Sequence, residues 1–286
     1  MKLEILGSGG SVTTPRPLCT CPICIQARER GREYTRLGPS VFLHGPDFLF
    51  DTPEEISVQL NRSRIDRISA CFYSHWHPDH TAGRRVFEMN TDFANLTRTL
   101  RTTDVYLPRQ VAATFDQSPG LMDHMKFMES LGLISLSLIR NDESVSICGA
   151  SITPIQLTRP YAFGYDVEYE GKRVLLIMDE LKGWSPNEIQ RSVNYDLVYL
   201  PFGVFDYNPI EGARKVPPDY ALLDDEATIE ETLSVLKKLN SKRFILSHIE
   251  EPDGISIELG GQLGKFYSRE TGKTIVLAED TMNIEI

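Results

Sequence analysis

The sequence predicts an α/β fold in which two mixed β-sheets pack together with helices on the outside. Short apolar, β-branched runs recur along the whole chain, and Gly, Pro, Asp or Asn bound most of them, as is typical of strands. Segments with helical spacing lie between the later runs, but the early runs follow one another without intervening helices. A simple alternation of strand and helix is therefore disfavoured, and a two-sheet sandwich fits better.

The predicted strands are Lys2–Leu6, Ser40–His44, Phe48–Asp51, Ile68–Ser74, Val105–Leu107, Ile134–Ile139, Ile152–Leu157, Val174–Met178, Leu197–Leu200, Phe244–Ser247 and Thr274–Leu277. Helical spacing is clearest at Ala227–Leu239, where apolar residues form a stripe. Weaker helices are predicted at Ile23–Arg30, Gly83–Glu88, Arg109–Phe115, Leu121–Leu131 and Pro186–Val193. No internal repeat, low-complexity tract or Pro/Ser-rich linker marks a boundary, so we expect residues 1–286 to form one domain.

The composition is that of an ordinary soluble globular protein, with 41% hydrophobic and 24% charged residues. Lys and Arg together number 30 against 40 Asp and Glu, which gives a formal net charge of −10. A general nucleic-acid-binding protein needs a cationic face for the phosphates, so this balance argues against one. A local basic patch on the surface is compatible with this balance.

The cellular location is expected to be the cytoplasm. The first residues, Met1–Gly7, are typical of a strand that leads into a glycine turn rather than of a signal peptide. No apolar run approaches the roughly 20 residues that a membrane helix requires. The chain has five cysteines, an odd number, and Cys19, Cys21 and Cys24 lie close together. We therefore expect reduced thiols rather than a disulfide framework.

Three of the six histidines lie within residues 75–80, at the carboxyl end of the predicted strand Ile68–Ser74. Residues two apart in extended backbone point the same way, so His75 and His77 can converge on one ion. Pro78 forces a turn, after which Asp79 and His80 face a second ion. Imidazole and carboxylate are the usual ligands of zinc, manganese or iron. The alternative, a polar surface loop with histidines placed by chance, explains this density poorly.

The pattern His-x-His-x-Asp-His after a hydrophobic strand resembles the signature of the metallo-β-lactamase superfamily. The resemblance extends to three further strand ends in the order that the family has. It implies that Asp51 supports the metal-binding loop, that Asp179 bridges both metals and that His248 is the last histidine ligand. It also implies the αβ/βα sandwich of that family.

One histidine that the resemblance implies is missing after Pro154–Leu157, where Thr158 and Arg159 stand instead. The second metal would keep a complete ligand set, which is Asp79, His80, Asp179 and His248. The first metal would keep only His75, His77 and Asp179. Zinc sites function with three protein ligands and a water, and Arg159 would be free to hold a substrate phosphate.

The cysteine motif Cys19-x-Cys21-x-x-Cys24 can supply three thiolates to a structural zinc, although small buried cysteines also cluster. With Gly7-Ser8-Gly9-Gly10 before it, this motif resembles the PhnP-like branch of the superfamily, the cyclic phosphodiesterases of phosphonate breakdown. That resemblance implies that Glu251 stands where the branch has the fourth zinc ligand, a histidine. Glu226 stands nearest to the place of an active-site histidine. Both departures indicate a divergent member.

These observations predict a metal-dependent hydrolase that acts on a small or cyclic phosphodiester through a metal-activated water. Asp79 would orient or deprotonate the water, and Glu226 or Arg159 would assist the leaving group or bind charge. One or two zinc, manganese or iron ions are expected, together with a structural zinc at the cysteines. Relatives suggest a homodimer, and no membrane partner is expected. The alternatives are tRNA 3′ processing, thioester or lactam hydrolysis, and a catalytically weak metal- or ligand-binding protein.

Overall fold

Two mixed β-sheets face each other in the computed structural model, which describes residues 1–94, 100–141 and 143–286. The first sheet has the order β16-β1-β2-β3-β4-β5-β6. Its strands are β1 (Lys2–Gly7), β2 (Ser40–His44), β3 (Phe48–Phe50), β4 (Ala70–Phe72), β5 (Thr103–Pro108), β6 (Ile134–Ile139) and β16 (Asn283–Glu285). Strands β16 to β3 pair antiparallel, and β3 to β6 pair parallel.

The second sheet repeats this plan in the order β15-β14-β11-β10-β9-β8-β7. Its strands are β7 (Val145–Ile147), β8 (Ala150–Gln156), β9 (Phe163–Tyr169), β10 (Lys172–Leu176), β11 (Leu197–Pro201), β14 (Arg243–Ser247) and β15 (Thr274–Leu277). An antiparallel meander from β7 to β10 continues into parallel pairs from β10 to β15. The short hairpin of β12 (Tyr207–Asn208) and β13 (Ala213–Arg214) stands apart from both sheets.

Helices lie on the outer faces of the sheets and in the loops that connect the strands. They are α1 (Pro22–Arg30), α2 (Ile56–Arg62), α3 (Pro78–Thr81), α4 (Arg109–Gln117), α5 (Leu121–Ser130), α6 (Glu188–Ser192), α7 (Leu222–Asp225), α8 (Ile229–Lys238) and α9 (Ile257–Thr271). Between the sheets, buried side chains such as Phe50, Phe72 and Tyr165 form the central core. Separate apolar layers lie under α4 and α5 on one side and under α8 and α9 on the other. The predicted α/β sandwich is confirmed.

The parallel strands of both sheets end at the same edge of the molecule. Asp51 follows β3, residues 74–80 follow β4, Asp179 comes shortly after β10, and His248 follows β14. Carboxyl ends of parallel strands are where α/β proteins commonly build their sites. The fold therefore brings residues that are distant in sequence to one place.

Every predicted strand overlaps an observed one, but the helices agree less well. The segment predicted as a helix at Gly83–Glu88 is part of a 3₁₀ helix at Ala82–Asn90. The longest helix, α9, was not predicted, because Gly260, Gly261 and Gly264 lower its helix propensity. Within the described ranges, no helix combines the length and apolar character needed to cross a membrane.

Gly264 and Gly261 have opposite surroundings although both lie in α9. A Cβ at Gly264 would lie 3.1 Å from the carbonyl oxygen of Ile275 in β15, whereas a Cβ at Gly261 would meet no described atom within 4 Å. We expect Gly261→Ala to raise the free energy of unfolding by about 0.5–1 kcal/mol, because alanine loses less backbone entropy in a helix.

Gly264→Ala should not raise the free energy of unfolding in this way, because the added methyl group would force the Ile275 carbonyl to move. Urea unfolding of both variants measures the difference. Equal stabilisation by the two substitutions would contradict a tight contact between α9 and β15.

Candidate metal centre

The carboxylate of Asp51 organises the loop that follows β4. Its Oδ1 accepts the backbone N–H of Ser74 at 2.8 Å, and its Oδ2 accepts the Ser74 hydroxyl at 2.6 Å. The same Oδ2 lies 2.7 Å from Nδ1 of His80, which therefore donates to it. Asp51 is fully buried and has a left-handed φ of 60°. Nδ1 of His80 is thus occupied, and its Nε2 is directed towards the neighbouring histidines.

Three buried imidazole nitrogens surround one oxygen of Asp179. Oδ2 of Asp179 lies 3.9 Å from Nε2 of His75, 3.9 Å from Nε2 of His80 and 3.5 Å from Nε2 of His248. None of these three nitrogens has a hydrogen-bond partner among the described residues. Buried polar atoms normally have hydrogen-bond partners. This group of unpaired nitrogens therefore indicates a binding site for an ion or another ligand.

The separations between donor atoms fit a metal ion. Asp79 Oδ2 lies 3.3 Å from Nε2 of His80 and 3.5 Å from Nε2 of His248. Two donors at bond lengths of about 2.0–2.1 Å on one tetrahedral ion would stand about 3.3 Å apart. The described residues form two such groups, His75/His77/Asp179/Glu180 and Asp79/His80/His248. The residues present therefore fit a two-metal centre.

The carboxylates of the centre favour the binding of cations. Burial alone would raise the pKa of Asp79, but His80 and His248 hold that pKa well below its usual range. Burial alone would lower the pKa of His248, but Asp179 and Asp79 raise it to about 10. The raised pKa values of His80 and His248 favour protons on these two imidazoles, which compensate the carboxylates. Metal ions and protons would compete for these nitrogens, because a metal ligand must be deprotonated.

Glu180 is the member of the centre that the sequence analysis missed. Its Oε1 lies 3.5 Å from Nδ1 of His77, and its side chain is almost fully buried. Arg159, predicted as a phosphate ligand, instead lies 3.7 Å from Oε2 of Glu180 and 2.8 Å from a carboxylate oxygen of Asp225. The position of Glu180 next to Asp179 in sequence was the available signal.

A cavity of about 400 Å³ opens beside the centre. His77, Asp79, Asp179 and His248 line its floor, and Glu226 stands in its wall. Burial and the charge of Asp179 raise the pKa of Glu226 to about 7. The wall also carries apolar side chains and one lysine, namely Val204, Phe205, Val216, Tyr220, Leu222 and Lys215.

The cysteine motif forms a second group of candidate ligands together with Glu251. Oε1 of Glu251 lies 3.2 Å from Sγ of Cys19, 3.0 Å from Sγ of Cys21 and 3.2 Å from Sγ of Cys24. Cys21 caps the N-terminus of α1, and Glu251 belongs to a 3₁₀ helix just after His248. The structure thus brings together the three thiols and the carboxylate named from sequence.

Comparison with known proteins agrees with this geometry. The family model described as the β-lactamase superfamily domain matches residues 45–249, well over half of the chain. The chain belongs to this family. Together with the solved structures described below, the match identifies a divergent member of the metallo-β-lactamase superfamily. No curated protein matches the sequence significantly.

Several solved structures share the fold over the whole chain. Zn²⁺-bound PqqB from Methylobacterium extorquens is 17% identical with a TM-score of 0.76, and the alignment covers 100% of both chains. A diphosphatase of the PhnP family is 21% identical with a TM-score of 0.68, over 100% of this chain and 97% of that one. Human tRNase Z, short form, is 18% identical with a TM-score of 0.62, over 100% and 99%. Because these identities are low, the similarity shows a shared fold and not a shared activity.

A zinc bound at the cysteines should be separable from the histidine centre. We expect Cys21→Ser to release one zinc per chain and to lower thermal stability, because metal binding contributes to folding. Glu251→Gln should weaken zinc retention, and Glu251→His should keep it. Cys148→Ser, at an exposed cysteine, is the matched control. Elemental analysis with thermal unfolding tests this, and unchanged zinc content in Cys21→Ser would mean that the thiols are only packed residues.

Proposed function

We propose that this protein is a metal-dependent hydrolase of a small phosphodiester. The observation that carries the proposal is the set of unpaired Nε2 atoms of His75, His80 and His248 around Asp179, which together with His248 lines the floor of a cavity. A cavity of about 400 Å³ suits a small molecule, since such pockets usually measure about 300–1,000 Å³. The family match supports a metal-dependent hydrolase, and the choice of a phosphodiester is our own extension.

The ligand shell is supplied by this chain alone. His75, His77 and Asp179 would hold one ion, and Asp79, His80 and His248 with Asp179 would hold the other. When bound, such ions supply positive charge that polarises a phosphoryl oxygen and makes water more acidic. Asp51 fixes the ring orientation of His80 by accepting a hydrogen bond from its Nδ1. Carboxylates commonly play this part next to metal-binding histidines.

The carboxyl groups around the cavity have separate roles in the proposal. Asp79 lies on the cavity floor, where it would accept a hydrogen bond from the attacking water and orient it. Glu226 stands in the wall, where it would donate a proton to the leaving oxygen. Because the water is the nucleophile, no side chain needs to form a covalent intermediate.

The cavity wall restricts the substrate. Lys215 is a cation that can contact a phosphate oxygen, while Val204, Phe205 and Tyr220 offer apolar surface for a carbon-rich substituent. Arg159 is already engaged with carboxylates, which disfavours the phosphate-binding role predicted for it. The formal net charge of −10 is unfavourable for a long polyanion such as tRNA. A compact phosphodiester fits these conditions better.

The activity test compares wild type with Asp79→Asn on bis(p-nitrophenyl) phosphate and on a cyclic phosphodiester, with Mn²⁺ or Zn²⁺ added. Asparagine keeps the size but loses the charge, so turnover should fall on the order of 10²-fold or more. Metal content is measured in parallel, because Asp79 is also a candidate ligand. Glu226→Gln should lower kcat with metal content unchanged, since Glu226 belongs to neither ligand group.

The outcome also separates the rival functions. If fully metal-loaded wild type cleaves neither linear nor cyclic phosphodiesters, the phosphodiesterase proposal is wrong. Turnover of a thioester or lactam would then assign another hydrolase activity. Tight metal binding without turnover of any of these esters or amides would favour a metal- or ligand-binding protein.

A further inference from the structure

We propose that Glu180 is the metal ligand that replaces the missing histidine, so that the first metal position has four protein donors. The inference rests on the metal centre of the proposed function but not on the reaction. It corrects the ligand set expected from the sequence, in which His75, His77 and Asp179 stood alone. A ligand atom of Glu180 lies within 4.8 Å of a ligand atom of each of those three residues.

The backbone turns the Glu180 side chain towards the histidines. Glu180 has a left-handed φ of 59°, which non-glycine residues adopt at a cost and mainly where the surroundings require it. Its Oε1 lies 3.5 Å from Nδ1 of His77, close to the spacing of two donors on one ion. The unpaired Nε2 of His75, itself 1% exposed, belongs to the same group and is the independent sign of a ligand there.

Arg159, at the position of the missing histidine, and the nearby Tyr161 both contact the carboxylate of Glu180. Oε2 of Glu180 faces Nε of Arg159 at 3.7 Å, and the hydroxyl of Tyr161 donates to Oε1 at 3.2 Å. Thr158 faces the loop after Asp179, where a Cβ at Gly183 would lie 3.5 Å from its methyl group. Arg159 and Tyr161 are therefore positioning residues that hold the carboxylate against His77.

A carboxylate in place of an imidazole changes the chemistry of the site. Each metal position then has two imidazoles and two carboxylates, with Asp179 shared between them. Manganese prefers carboxylate oxygen to nitrogen as a ligand, whereas zinc binds imidazole well. The centre should therefore favour manganese over zinc more than a shell with a third histidine would.

The test is a titration of metal-free protein with Mn²⁺, because this hard ion discriminates against the thiolates of the cysteine cluster. Wild type should bind two Mn²⁺ per chain. Glu180→Gln should keep one site and weaken the other by at least tenfold, as losing a ligand implies. Glu188→Gln, at an exposed glutamate in the same part of the chain, is the matched control and should behave as wild type. Glu180→His should shift the ratio of Zn²⁺ to Mn²⁺ affinity towards zinc.

Circular dichroism of each metal-free variant verifies the fold before titration. Two Mn²⁺ bound by Glu180→Gln with wild-type affinity would overturn the inference and leave Glu180 as an ion-pair partner of His77 and Arg159. A wild type that binds a single Mn²⁺ would overturn it as well. Because stoichiometry is measured without substrate, wild type that binds two ions and hydrolyses no phosphodiester would refute only the proposed function.

Discussion

The hydrogen bonds from Ser74 and His80 to the buried carboxylate of Asp51 fix the loop on which the metal centre depends. A buried carboxylate is unfavourable unless it is well paired, and here the pairing comes from the loop itself. The same bonds determine which nitrogen of His80 remains free. The position of His75 follows, because its Nδ1 lies 2.9 Å from the Ser74 hydroxyl. One side chain at the end of β3 thus sets the orientation of two imidazoles after β4.

Three of the residues that build the centre share an unusual backbone conformation. Asp51, Glu180 and His248 have φ values of 60°, 59° and 57°. Asp51 and His248 directly follow β3 and β14, where a left-handed residue ends the strand abruptly, whereas Glu180 lies in the loop after β10. Such conformations each cost on the order of 1–3 kcal/mol and persist where the surroundings enforce them. Ions that bind only the folded chain would help to offset this cost.

The sequence was sufficient to predict the sandwich and the convergence of the histidines with Asp79 and Asp179. Short β-branched runs predict the strands, and the close spacing of residues 75–80 predicts that the histidines converge with Asp79, whereas Asp179 followed from the resemblance to the metallo-β-lactamase superfamily. Glu180 escaped prediction, since its role depends on a left-handed turn and on contacts with Arg159 and Tyr161 that form only in the fold. The helix α9 escaped for a related reason. Its glycines lower the helix propensity of the segment, but at Gly264 the close approach of β15 leaves little room for a side chain.

The wide spacing of the ligands along the chain affects how the protein folds. His75 and His248 are separated by most of the sequence and belong to different sheets, so closing this contact carries a large loop entropy. The histidine centre and the cysteine site each also include a residue that lies after β14, namely His248 or Glu251. A nascent chain therefore cannot complete either site until synthesis has passed β14 and the residues that follow it. Ions would stabilise a topology that is already assembled rather than nucleate it.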